Sequence, residues 1–268
     1  MLSPADSDLT SYGIMSQIVS SKLILALDMP DPKEALRVVD QLRGLVQRFK
    51  IGPILYTRAG PPLLRKIQER GGDLFLDLKF HDIPRTVACA VLEAARLGVR
   101  MLTLHVLGGE AMMKQARDAL NTFSVHAGAP SPMLLGVTIL TSTDSACLET
   151  TLRTPLSLEE MVVHLANLAC QNGLDGVVAS PWELPLLRRF PPPFKKVTPG
   201  IRLAPTHPER GEDQKRRATP QQAIRDGADF IVVGRPILDA ADRIEMTRTF
   251  LAEIALAETT RTASKHVA

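Results

Sequence analysis

Two periods alternate along the chain. Short apolar runs rich in β-branched residues predict strands at 22–28, 48–52, 73–80, 99–106, 132–140, 174–180, 195–201 and 229–235. Between them, apolar residues recur at three- and four-residue spacing. That pattern predicts helices over 31–46, 61–72, 83–98, 109–123, 157–173, around "WELPLLRRF", and over 219–228 and 241–258. Local signals agree with it. Pro32 stands near a helix start, Gly98 lies past a helix end, and Ser157 with Glu160 forms a capping-box pattern. Eight strands alternating with eight helices over roughly 240 residues predict an α/β chain folded as one (β/α)8 TIM barrel, with a catalytic domain over 21–258. A doubly wound open sheet is the rival. The turn after the first strand, "LDMPDPKE", has no glycine, so a dinucleotide fingerprint fails there. Residues 1–20 read as a polar extension and 259–268 as an unpacked tail.

A barrel of this kind gathers its functional side chains at the C-terminal ends of its strands. Charges do collect there. Asp28 ends strand one, Lys50 lies on strand two, Asp77 and Lys79 on strand three with Asp82 just beyond, and Arg202 and Arg235 end strands seven and eight. In "DLFLDLKF" (73–80), side-chain alternation puts Leu74, Leu76, Leu78 and Phe80 on the helix-facing side. Phe75, Asp77 and Lys79 then point into the barrel. An isolated D-x-K reads equally well as an ion pair filling the barrel mouth. Five charges from three strand ends do not read as packing, because buried charges are costly even when paired.

Composition narrows the function classes. The chain has 268 residues, 45% of them apolar but only 4% aromatic, so its core is aliphatic and it lacks the stacking platform of a single-strand nucleic-acid binder. A net charge of +3 without a dominant basic block argues against nucleic acid and suits a small anionic substrate. Cys89, Cys147 and Cys170 are odd in number and widely spaced, which fits a reducing, cytoplasmic setting. No apolar run is long enough to cross a bilayer, and the N-terminus lacks the pattern of a signal peptide.

The stretch "DLKFHDIPRT" (77–86) resembles the D-x-K-x-x-D-I-P-x-T signature of the orotidine 5′-phosphate decarboxylases. "LALD", "FKIG", "TILTS", "PGIR", "EDQKR" and "VVGRPI" are similar, in the same order, to that family's other strand-end segments. The resemblance covers about residues 22 to 240. It implies a barrel that converts orotidine monophosphate to UMP and carbon dioxide without metal or organic cofactor, in the final step of de novo pyrimidine synthesis. It also implies a homodimer with shared active sites, Asp82 and Thr86 reaching the partner's site. The charged network is carried onto Lys50, Asp77, Lys79 and Asp82, and substrate binding onto Asp28, Lys50, Thr86, Thr141, Arg202, Gln214, Gly234 and Arg235.

On that reading, Lys79 stands between Asp77 and Asp82 and donates a proton to C6, with Asp77 near the departing carboxylate. Gly234 and Arg235 grip the phosphate, Asp28 bonds the base or ribose, and Thr141 bonds the pyrimidine amide edge. The connection "RLAPTHPERGEDQKRRATP" reads as a lid carrying Gln214. His81 reads as pointing off the inner face, His105 as a satisfied rim histidine and Trp182 as packed. Two alternatives stay open at this point. One is a Mg²⁺-dependent sugar-phosphate decarboxylase or aldolase on a related barrel; the other is a non-catalytic nucleotide-binding barrel.

Overall fold

The computed structural model describes residues 17–128, 130–204 and 218–265. Eight parallel strands close into a barrel in sequence order: β1 (Leu23–Ala26), β2 (Arg48–Ile51), β3 (Asp73–Phe80), β4 (Met101–His105), β5 (Met133–Val137), β6 (Gly176–Val178), β7 (Lys195–Thr198) and β8 (Phe230–Val233). Each strand is followed by a helix: α1 (Pro32–Gln41), α2 (Pro53–Gln68), α3 (Pro84–Arg96), α4 (Glu110–Ala127), α5 (Leu158–Gln171), α6 (Leu184–Leu187), α7 (Pro220–Asp226) and α8 (Arg243–Lys265). The open-sheet alternative is therefore excluded.

Strand alternation builds two cores. Leu23, Leu25, Phe49, Ile51, Leu74, Leu76, Leu102 and Leu104 face outward and meet the helices. Ile24, Ala26, Phe75, Met101, Leu135, Val197 and Val232 face inward and fill the barrel. Two close contacts of strand glycines leave no room for a side chain. A Cβ on Gly176 would lie 2.2 Å from the Lys195 carbonyl oxygen, and one on Gly136 would lie 2.5 Å from Val106 Cγ2. Asp31 caps α1 by accepting the Lys33 N–H at 2.9 Å. Ser157 and Glu160 form the reciprocal capping box at α5.

The sequence pattern misplaces three features. The second helix begins at Pro53, not at 61, because α2 consists of two helical pieces joined at Gly60 (φ 54°, ψ −151°). Pro61 and Pro62 lack N–H groups and restrict the residue before them, so the pattern marks only the second piece. The last helix continues to Lys265, through residues read as an unpacked tail. Trp182 does not pack but is 63% exposed. Most of the expected N-terminal extension lies outside the described residues; within its described part, residues 17–20 are helical and Val19 is buried.

Candidate active site

The open end of the barrel holds a cavity of about 350 Å³, within the usual range for small-molecule sites. Its wall contains Asp28, Lys50, Asp77, Lys79, Thr141, Arg202, Gly234 and Arg235. Thr141 lies beyond β5, which ends at Val137, so it reaches the cavity from the following turn. Four cationic and two anionic side chains line the wall among the described residues, an excess of positive charge suited to a multiply anionic ligand.

The charges on β1 to β3 form one alternating row. Lys50 Nζ lies 2.9 Å from Asp28 Oδ1 and 3.4 Å from Asp77 Oδ2, and Lys79 Nζ lies 2.8 Å from the same Asp77 oxygen. Parallel register explains the row, since Ala26 pairs with Lys50 and Lys50 with Phe75. That pairing sets the inward positions of three neighbouring strands side by side. Lys50 and Asp77 are buried at 8% and 7% exposure. Burial disfavours the Lys50 ammonium, but Asp77 and Asp28 outweigh it and hold its pKa above the ordinary lysine value. Burial likewise opposes the Asp77 carboxylate, while Lys50, Lys79 and the Thr103 hydroxyl hold its pKa below the usual range.

Lys79 reaches this row through a distortion. Leu76 pairs with Leu102 but Phe80 pairs with Leu104, so Asp77, Leu78 and Lys79 together stand opposite Thr103. Lys79 takes φ +50°, an uncommon conformation for a residue with a side chain. Thr103 Oγ1 accepts the Lys79 N–H at 2.9 Å and donates to Asp77 Oδ1 at 2.9 Å. Sequence reasoning missed Thr103. A polar residue at an inward position of the apolar run "MLTLH" was the available signal.

Other expected residues lie elsewhere. Asp82 and Thr86 are exposed and do not line this cavity, and Asp82 accepts the Ile83 N–H at 2.6 Å. Asp82 therefore does not flank Lys79 within one chain, because the chain turns outward into α3. Gln214 and most of the expected lid lie outside the described residues. The ends of that connection are joined by a bridge between Ile201 and Ala218, and Arg202 donates to the Ile201 carbonyl at 3.0 Å. His81 is exposed and its ring centroid lies 5.4 Å from that of His105. His105 is not a satisfied rim histidine, since its Nδ1 is buried without a hydrogen-bond partner. Burial, His81 and Lys79 all lower its pKa.

Comparison with known proteins agrees with the fold. The model of the Orotidine 5′-phosphate decarboxylase / HUMPS family matches residues 21–250. The chain is 49% identical over 240 residues to the orotidine 5′-phosphate decarboxylase of Syntrophotalea carbinolica, covering 88% of this chain and 96% of that protein. It is 44% identical over 234 residues to the enzyme of the same name from Moorella thermoacetica, covering 87% and 92%. A crystal structure of orotidine 5′-phosphate decarboxylase from Lactobacillus acidophilus superposes with a TM-score of 0.75 at 35% identity, covering 87% of this chain and 98% of that one. An aliphatic eight-stranded barrel, an Asp–Lys–Asp–Lys row at its mouth and these matches along almost the whole barrel lead to one conclusion: the chain belongs to the orotidine 5′-phosphate decarboxylase / HUMPS family.

Proposed function

We infer that this protein is a carboxy-lyase that converts orotidine 5′-monophosphate to UMP and carbon dioxide in pyrimidine biosynthesis. The observation that carries the reading is the charged row Asp28–Lys50–Asp77–Lys79 in the cavity wall, buried at its centre, Lys50 and Asp77. The named relatives support it, and they favour it over the sugar-phosphate alternatives. Loss of the C6 carboxylate leaves an electron pair on a ring carbon. A cation already fixed beside that carbon stabilises the developing charge with little reorganisation. Lys79 is that cation. When the C6–carboxylate bond breaks, its electron pair takes a proton from the Lys79 ammonium, and the neutral amine is later reprotonated from solvent. Asp77 holds Lys79 in place on one side and Lys50 on the other.

Arg235, Arg202 and Gly234 line the cavity from the β7–β8 side, beside β1 and away from Lys79 on β3. They bind the phosphate, and that remote binding energy holds the base against the charged row. Thr141 approaches from the β5 side and contacts the base, while Asp28 bonds the ribose or the base. Gln214 lies outside the described residues, and its assignment to substrate binding rests on its match to the family's pattern alone.

Asp82 and Thr86 act in the site of a second copy. Asp82, Ile83 (67% exposed) and Thr86 form an exposed shoulder immediately after β3, suited to a partner's cavity. The enzyme is then a homodimer. Free cysteines at Cys89, Cys147 and Cys170 fit a cytoplasmic setting. The deciding assay incubates purified protein with orotidine monophosphate and a chelator and follows the pyrimidine absorbance. Absence of turnover, or strict dependence on Mg²⁺, refutes the reading. Mixing Lys79→Ala with Asp82→Asn protein tests the shared site. Each variant alone is expected to be inactive, whereas hybrid dimers regain one intact site; no recovery on mixing refutes the sharing.

A further inference from the structure

The Asp77–Lys79 pair is not secured by its own strand. Between Leu76 and Phe80 the β3–β4 ladder loses register, and three consecutive residues of β3 stand opposite one of β4. Such an irregularity deprives backbone N–H groups of their ladder partners, and a buried unpaired N–H is costly. It also places Lys79 at φ +50°, a conformation that persists only where surrounding contacts enforce it. One side chain supplies both missing constraints. The hydroxyl of Thr103, fully buried, accepts the Lys79 N–H and donates its hydrogen to Asp77 Oδ1, at 2.9 Å each. Asp77 thereby has one oxygen fixed by Thr103 and the other facing Lys79 and Lys50.

We propose that Thr103 is a positioning residue for decarboxylation: its hydroxyl locks the backbone of Lys79 and the carboxylate of Asp77 into the geometry that aims the Lys79 ammonium at C6. The inference rests on the reading of Lys79 as proton donor. Thr103 does not line the cavity. It acts through two residues that do. A threonine present only to fill the barrel would be replaced by valine at little cost to turnover, because the two side chains are nearly the same shape. Valine puts a methyl group in place of the hydroxyl, leaving the Lys79 N–H and Asp77 Oδ1 unpaired and the ammonium free to swing.

The test compares Thr103→Val, Thr103→Ser and Lys79→Ala in steady-state turnover of orotidine monophosphate, each first checked by a thermal melt. The valine variant is expected to lose about 10- to 100-fold in kcat, the range of a hydrogen bond to a charged group, with KM changed by less than about threefold. The phosphate grip on β7 and β8 is untouched, so KM has no reason to move. Serine, which keeps the hydroxyl, is expected to restore kcat to within about threefold of the wild type. Valine turnover near wild type beside an inactive Lys79→Ala protein overturns the proposal. So does a rise in KM at unchanged kcat. Full activity of Lys79→Ala instead overturns the proton-donor reading itself. Should the valine protein not fold, Thr103→Ala against Thr103→Ser isolates the hydroxyl, since both lack the methyl group. A kcat ratio near one between them overturns the proposal, and serine exceeding alanine by about tenfold or more supports it.

Discussion

Replacing Asp77 by asparagine keeps the volume and a hydrogen-bonding oxygen for Thr103 but removes the charge shared by two ammonium groups. The separations are 2.8 Å to Lys79 and 3.4 Å to Lys50. At an effective dielectric of about 20, each attraction is worth roughly 5–6 kcal/mol before desolvation is counted. Removing one partner of a buried pair costs about 3–5 kcal/mol net. Here the lower end applies. The Lys79 side chain is one-third exposed and turns toward water, and Lys50 retains Asp28 at 2.9 Å. A loss of about 3 kcal/mol corresponds to a drop in Tm of roughly 6–12 °C for a domain of this size. The assay is a thermal melt of both proteins across pH. The folded-state pKa of Asp77 lies below its unfolded value. Its contribution is therefore fully present above about pH 4 and is lost as pH falls through the folded value. The asparagine protein has no such contribution, so the gap in Tm should close as the solution is acidified below about pH 4. A variant as stable as the wild type near neutrality, or a gap that ignores pH, would show that Asp77 does not hold the row together.

Three further outcomes are expected. Lys50→Met should lower Tm at pH 8 by leaving Asp28 and Asp77 with one cation fewer; because the folded pKa of Lys50 is raised, the deficit should shrink as pH rises above about 10.4, which a pH series of melts checks. Arg235→Gln should reduce kcat/KM for orotidine monophosphate about 10- to 100-fold through loss of a charge-assisted phosphate contact, with no effect on Tm; unchanged kinetics would remove Arg235 from the phosphate site. Gly176→Ala should destabilise the fold by about 1–3 kcal/mol or more, since its Cβ meets the Lys195 carbonyl at 2.2 Å, and a chemical denaturation curve reads the loss directly.

What the chain determined by itself is what local periods and local chemistry can specify. Alternation marks which face of a strand is buried, and spacing of three and four marks a helix face; those two periods, repeated eight times, leave a closed barrel as the economical arrangement. Alternation also placed Asp77 and Lys79 on the inner face, and their ordered neighbours at the strand ends pointed to one family. Periods report burial, however, and not the distance between residues far apart in the chain. Asp28 and Lys50, 22 residues apart, meet only through the β1–β2 register. Thr103 and Asp77, 26 residues apart, meet only because β3 slips against β4. The slip is invisible in "DLFLDLKF", which reads as a regular strand. So are the helical piece before Pro61 and the exposure of Trp182, which depend on what the rest of the fold leaves uncovered. Tertiary structure decided which charge faces which, because alternation fixes only the two faces of a strand, while pairing with its neighbours decides which residues stand opposite.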